Sequence, residues 1–193
     1  MLHLPRTNFH AEPENLLERI FYGRVRIERA TAYFEFRKGS EYQKILHHLK
    51  YKGQKELGEF MGVRFAREIQ NSDFIQDIDT LCPVPLHPKR ERRRGYNQSY
   101  HVAKGLADTL NIPIDSHSLI RKKFSTTQTK KSRYERWENV EDIFELRTPE
   151  IFEGKHILLI DDVVTTGATL EACANTIKKG CDCKISILTL AIA

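Results

Sequence analysis

Two adjacent carboxylates, Asp161 and Asp162, are followed by a run of small and hydroxylated residues, Thr165-Thr166-Gly167-Ala168-Thr169. Ionised carboxylates accept hydrogen bonds from sugar hydroxyls. A glycine-containing turn that opens a helix offers backbone N–H groups and the positive end of the macrodipole to an anion. Two carboxylates would repel a bare polyphosphate, but they suit a phosphate with sugar hydroxyls beside it. The spacing therefore predicts a site for a ribose 5-phosphate group.

The elements that must position these residues are legible on either side. Ile157-Leu158-Leu159-Ile160 is an unbroken apolar run, as expected of a central parallel strand covered on both faces, whose carboxyl end opens into a ligand crevice. After the turn, Leu170, Cys173, Ala174 and Ile177 recur at helical spacing. Strand, acidic tip, anion-binding turn and helix follow in order. A Walker B strand also ends in Asp-Asp, but the chain has no G-x-x-x-x-G-K-[ST] loop to accompany one.

The chain has 193 residues, 40% hydrophobic, enough for one sizeable core. No apolar run reaches the roughly 18 residues needed to cross a bilayer, and the first residues lack the layout of a secretory signal. A soluble cytoplasmic protein, not inserted in a membrane, is expected. Cys82, Cys173, Cys181 and Cys183 have no framework spacing and read as reduced core thiols. The pair Cys181-x-Cys183 lacks the second pair that a zinc site needs.

The net charge of +5 is concentrated. Residues 89–94 (Lys-Arg-Glu-Arg-Arg-Arg) and 121–136 hold a large cationic excess, which leaves the rest of the chain acidic. Such clusters attract a pyrophosphate-bearing small molecule or a nucleic-acid backbone. The first cluster follows Pro83-Val84-Pro85-Leu86-His87-Pro88, which predicts a proline-stiffened basic loop at a strand's carboxyl end. Asn97 or Ser99 can cap the next helix, whose apolar face is Val102, Ala103, Leu106, Ala107 and Leu110.

Residues 157–169 resemble the phosphoribosyl pyrophosphate (PRPP) signature of type I phosphoribosyltransferases. Three further segments resemble motifs of the ComF (competence protein F) family: Leu49-Lys50-Tyr51-Lys52-Gly53; Pro83-Val84-Pro85-Leu86-His87 with Arg90 and Arg94-Gly95-Tyr96-Asn97-Gln98; and Thr127-Gln128-Thr129 through Arg133, Arg136, Asn139 and Phe144. Members commonly begin with a cysteine-rich zinc ribbon, and no cysteine precedes Cys82 here. Either the module is lost or Met1 is an internal start, and a role that depends on the ribbon is not carried over.

The resemblance implies roles for individual residues. Asp161 and Asp162 would bind the ribose hydroxyls, and Val163, Thr165, Thr166, Gly167, Ala168 and Thr169 would hold the 5-phosphate. Leu86, His87, Arg90 and Arg94 would face the pyrophosphate together with a Mg²⁺ cofactor held by ligand oxygens and water rather than directly by side chains. Gln128, Arg133 and Arg136 would belong to a flap that closes over the site, the two arginines being catalytic candidates beside the acidic pair. Lys50, Lys52, Asn97 and Gln98 are secondary candidates. PRPP or another ribose 5-phosphate is the implied ligand, with single-stranded DNA and a second copy of the chain as further candidate partners. Ribosyl transfer to a nitrogen nucleophile and a non-catalytic role in DNA uptake both stay open, because no residue declares an acceptor.

The expected fold is α/β, a type I phosphoribosyltransferase fold: a mostly parallel twisted sheet with helices on both faces. Residues 1–40 form an amino-terminal hood or edge segment and 41–193 the phosphoribosyltransferase-like domain. Strands are predicted near residues 80–84, 117–122, 157–161 and 184–192, with a hairpin or edge strand over 30–37. Helices are predicted over 14–21, from Tyr42 to a stop at Gly53, and then with Leu57, Phe60, Met61, Phe65 and Ile69 buried.

Overall fold

A computed structural model describes residues 4–36, 48–49, 54–122 and 143–193. The predicted helix from Tyr42, apart from His48 and Leu49, lies outside the described residues. So do Lys50, Lys52, Gln128, Arg133 and Arg136.

In chain order, a short helix α1 (Leu16–Arg19) precedes strand β1 (Ala30–Glu35). Helix α2 (Lys55–Ile69), strand β2 (Thr80–Pro83) and helices α3 (Pro88–Arg94) and α4 (Gln98–Leu110) follow. Two three-residue strands, β3 (Leu119–Arg121) and β4 (Phe144–Leu146), lead to β5 (His156–Val164), α5 (Ala168–Gly180) and β6 (Lys184–Ile192).

The central sheet has the order β1-β6-β5-β2, and every pairing in it is parallel. Strand alternation distributes its apolar residues to two cores. Ile157 and Leu159 of β5 join Ile185 and Ile187 of β6, Phe21, and Leu170, Cys173 and Ile177 of α5. Leu158 and Ile160 join Leu188 and Leu190 of β6, Phe65 of α2, and Val102 and Leu106 of α4. A run buried on both faces needs such a double cover, so the helices flank the sheet as predicted. The four cysteines are free and buried, and burial pushes the Cys82 and Cys173 thiols well up from their usual value.

Several expectations are corrected. The strand predicted over 117–122 is not in the central sheet: Leu119–Arg121 pairs antiparallel with Phe144–Leu146 in a separate ribbon. Of the hairpin or edge strand expected over 30–37, residues 30–35 form the edge strand, parallel to β6. The strand expected over 184–192 is β6, interior between β1 and β5, which accounts for its burial on both faces. Phe60 is 58% exposed, so the buried face of α2 is Gly58, Met61, Gly62, Phe65, Ala66 and Ile69. The basic segment is a helix rather than a loop. Pro88 occupies its first turn, the His87 ring accepts the Lys89 N–H, and Gly95 ends it in the left-handed region; those start and stop residues outweigh the stiffening effect of the prolines.

The helices α2 and α4 meet backbone to backbone. A Cβ on Gly62 would lie 2.3 Å from the Val102 carbonyl oxygen, and one on Gly105 would lie 2.1 Å from the Glu59 carbonyl oxygen. Glycine at both positions allows the approach that sets α4 against β2 and β5 and brings its first turn to the carboxyl ends of those strands.

Candidate functional site

β5 is longer than its apolar run implied and carries Asp161 and Asp162 inside the strand, with Asp161 level with Thr189 of β6. Successive strand residues point to opposite faces, so the two carboxylates diverge. Asp161, together with residues 163–170, lines a cavity of about 50 Å³. Asp162 does not line it and is buried, 6% exposed. Since about 10–15 Å³ of such space holds one water molecule, this partly open cleft suits a compact group.

The floor of this cavity is the turn from β5 to α5. Gly167 is the N-cap of α5 at φ 74°, and no side chain caps the helix. Thr166 Oγ1 accepts from Ala168 N only at 3.5 Å. The start of a 13-residue helix thus borders the cavity, its first amide held only by that long contact, where the macrodipole favours an anion. Thr165, Thr166, Gly167, Ala168 and Thr169 are brought together here as the spacing predicts.

Ser99 reaches this site from the first turn of α4. Its hydroxyl donates to Asp161 Oδ1 at 2.9 Å, and the Asp162 N–H donates to the same oxygen at 2.9 Å. Asp161 is therefore held in one orientation from two directions. Asn97 caps α4 by accepting the Ser99 N–H, and its Nδ2 donates to the Val84 carbonyl at 3.0 Å. The loop after β2 and the acidic strand are linked through one helical turn. Gln98 is buried, 1% exposed, within that turn rather than open to the crevice.

The basic helix α3 is two-sided. Arg90 and Arg94, four residues apart and on one face, are half-buried, whereas Lys89, Arg92 and Arg93 are exposed. Beyond α3 lies a larger cavity of about 650 Å³, lined by Leu86, Asn97, Tyr96, Tyr100, His101 and Arg121 among others. The Tyr96 hydroxyl donates to the Leu49 carbonyl, which fixes that wall to the segment before α2. His87, Arg90 and Arg94 do not line this cavity.

Arg121 is a basic residue that spacing did not single out. Burial and the nearby Arg90 charge pull its pKa down from the usual guanidinium value, while Asp161 pulls the other way. Arg90, Arg121 and Asp161 thus belong to one electrostatic neighbourhood. Only the concentration of cations after residue 120 hinted at this. Where α4 packs against α2, the His101 ring bonds the Glu59 carboxylate at 2.8 Å and Lys104 reaches both its oxygens at 3.1 Å. The His101 hydrogen bond comes first in holding the Glu59 carboxyl below the usual carboxylate range. Among the described residues no group of three or more His, Cys, Asp or Glu side chains is placed to hold a metal ion.

Residues 97–192 match the family described as "Phosphoribosyl transferase domain". The chain is 33% identical over 129 residues to the "DNA utilization protein YhgH" of Salmonella typhimurium, an alignment covering 65% of this chain and 56% of that protein. It is 34% identical over 154 residues to the "Competence protein ComFC" of Bacillus subtilis, covering 77% of this chain and 58% of the relative. The chain therefore spans little more than half the length of these curated relatives. Among solved structures, it superposes on the "allosteric regulatory enzyme of purine biosynthesis" with a TM-score of 0.50 and 17% identity, over 74% of this chain and 29% of that one. A likeness at that identity is one of fold.

Proposed function

Because the chain belongs to the ComF family of phosphoribosyltransferase-fold proteins, we propose that it binds PRPP at the junction of β5 and α5. The observation that carries this reading is the Asp161 carboxylate, fixed by Ser99 at the mouth of an anion-binding turn. In the proposed complex the 5-phosphate sits on the amides of residues 165–169, and Asp161 accepts the ribose hydroxyls. Arg90, Arg94 and Arg121, with the Leu86-His87 backbone, face the pyrophosphate.

Mg²⁺ fits this site as a guest of the ligand. Asp161 supplies hard oxygens, but one already accepts two hydrogen bonds, so ligand oxygens and water complete the shell, as is usual for this cation. When bound, Mg²⁺ neutralises part of the pyrophosphate charge. Displacement at C1 would proceed through a cation-like sugar as pyrophosphate leaves with growing negative charge, which Arg90, Arg94 and Arg121 stabilise. The acceptor in such a transfer is a nitrogen nucleophile.

A second reading is favoured by the exposed face of α3. Lys89, Arg92 and Arg93 point to solvent, in an arrangement suited to a nucleic-acid backbone, and the relatives are named for DNA utilization and competence. In this reading the PRPP site regulates a single-stranded-DNA-associated protein.

Thermal unfolding with PRPP, with and without Mg²⁺, tests the first reading. At about 100 times Kd, a ligand of the folded state adds about 2.7 kcal/mol, a Tm rise of roughly 5–10 °C at this chain length. The rise is expected to depend on Mg²⁺ and to vanish in the Asp161→Asn/Asp162→Asn double variant. No shift in the wild-type protein at millimolar PRPP rejects the reading.

A further inference from the structure

The anion-binding turn is braced from behind by the amino-terminal segment. A Cβ on Gly167 would lie 2.7 Å from Ile20 Cγ2 and 3.1 Å from Phe21 Cε1, so residues 20 and 21 press directly on the turn. Phe21 is fully buried, and the Arg24 and Val25 N–H groups both donate to its carbonyl. From this locked turn the Arg24 guanidinium reaches three acceptors. Nη1 donates to the Ile20 carbonyl at 2.9 Å and to the Thr166 carbonyl at 2.8 Å. Nε donates to Glu171 Oε2 at 3.0 Å, and Nη2 donates to the same oxygen.

Two consequences follow for an anion on the turn. In a planar trans peptide the C=O and N–H point in opposite directions. Drawing the Thr166 carbonyl toward Arg24 therefore aims the Gly167 N–H away from Arg24, and Gly167 lines the small cavity. Glu171 stands in the first turn of α5, where an acidic side chain ordinarily benefits from the macrodipole. A phosphate on the same helix end would compete with that charge. The Arg24 fork pairs with Glu171 and removes the competition.

We propose that Arg24 is the positioning residue of the anion-binding turn: it orients the Thr166-Gly167 peptide and cancels the Glu171 carboxylate that would otherwise oppose a bound phosphate. The inference rests on reading the turn as a phosphate site and assigns the amino-terminal segment a part in ligand affinity, not only in the core. Arg24 touches no substrate in this arrangement and acts through Thr166 and Glu171.

The test compares PRPP affinity, by calorimetry with Mg²⁺, in the wild type, Arg24→Met, Arg24→Lys, Glu171→Gln and Arg24→Met/Glu171→Gln. Arg24→Met is expected to weaken binding tenfold or more, while Glu171→Gln alone changes it less than threefold. The double variant recovers several-fold over Arg24→Met, and Arg24→Lys, which keeps the charge, falls between wild type and Arg24→Met. A purely structural role predicts no rescue by Glu171→Gln. Arg24→Met binding within twofold of wild type, or a double variant no tighter than Arg24→Met, overturns the proposal. Should Arg24→Met fail to fold, Arg24→Lys with and without Glu171→Gln decides the same point. Amide hydrogen exchange of residues 165–170 without ligand gives an independent reading: faster exchange in Arg24→Met supports the brace and unchanged exchange overturns it. Wild-type protein that fails to bind PRPP removes the ligand reading, while this exchange measurement still judges the brace.

Discussion

Asp161 and Asp162 are neighbours in sequence and differ in setting: one lines the cavity at the anion-binding turn, while its neighbour is buried, because successive strand residues face opposite ways. The turn itself depends on one backbone conformation. Gly167 sits at φ 74°, where an L side chain costs about 1–2 kcal/mol. An added Cβ would also press on Ile20 and Phe21, and overpacking of this kind costs about 1–3 kcal/mol more. Gly167→Ala is therefore expected to lower stability by about 2–5 kcal/mol in urea unfolding. It should also abolish the PRPP-induced Tm rise in whatever folded protein remains. Wild-type stability in this variant would contradict the packing described for residues 20 and 21.

At the scale of elements, the site depends on where α4 begins. Its first turn supplies Ser99 to Asp161 and ties Asn97 to the end of β2, and its closeness to the sheet depends on contact with α2 at Gly62 and Gly105. Gly105→Ala would put a methyl group 2.1 Å from the Glu59 carbonyl oxygen. Helix propensity alone would favour alanine by about 1 kcal/mol. The clash, about 1–3 kcal/mol for overpacking and at the upper end against backbone, exceeds that gain, so a net loss of up to about 2 kcal/mol is expected from urea midpoints, with weaker PRPP binding as α4 shifts Ser99 away from Asp161. A gain in stability would show that the helices can part without consequence. Helix α3 teaches a related lesson: Pro88 and Gly95, its start and stop residues, were present in the sequence, yet three prolines and a charge run favoured a loop. The local capping chemistry decided otherwise.

For the whole molecule, the parallel sheet gathers the carboxyl ends of β2 and β5 on one edge, so that the basic helix that follows β2 and the acidic end of β5 lie on the same side of the type I phosphoribosyltransferase fold. The charge asymmetry has a measurable consequence. If the exposed face of α3 carries a nucleic-acid backbone, log K for single-stranded DNA falls linearly with log salt, and neutralising Arg92 and Arg93 flattens the slope by about 1.4 for two lost phosphate contacts. Arg90 and Arg94 are half-buried rather than exposed, so on the proposed reading their neutralisation is expected to affect PRPP affinity first. A slope unchanged by Arg92→Gln/Arg93→Gln excludes this face of α3 as the contact. Among the described residues no helix is long and apolar enough to cross a membrane.

The sequence by itself determined the segments whose meaning is local. An apolar run, an acidic pair, a threonine-glycine turn and an amphipathic stretch lie side by side within residues 157–177, and their periods and turn chemistry encode strand, glycine turn and helix without outside help. The sequence also narrowed the α4 cap to Asn97 or Ser99, of which Asn97 fills it. Tertiary structure alone decided which distant residues complete the site. Ser99 meets Asp161 across 62 positions and Arg24 meets Glu171 across 147. It also decided that residues 119–121 leave the main sheet and that Phe60 faces solvent. Contacts of that span leave no periodic trace in the chain, because they are selected by how whole elements pack and not by the spacing of neighbouring side chains.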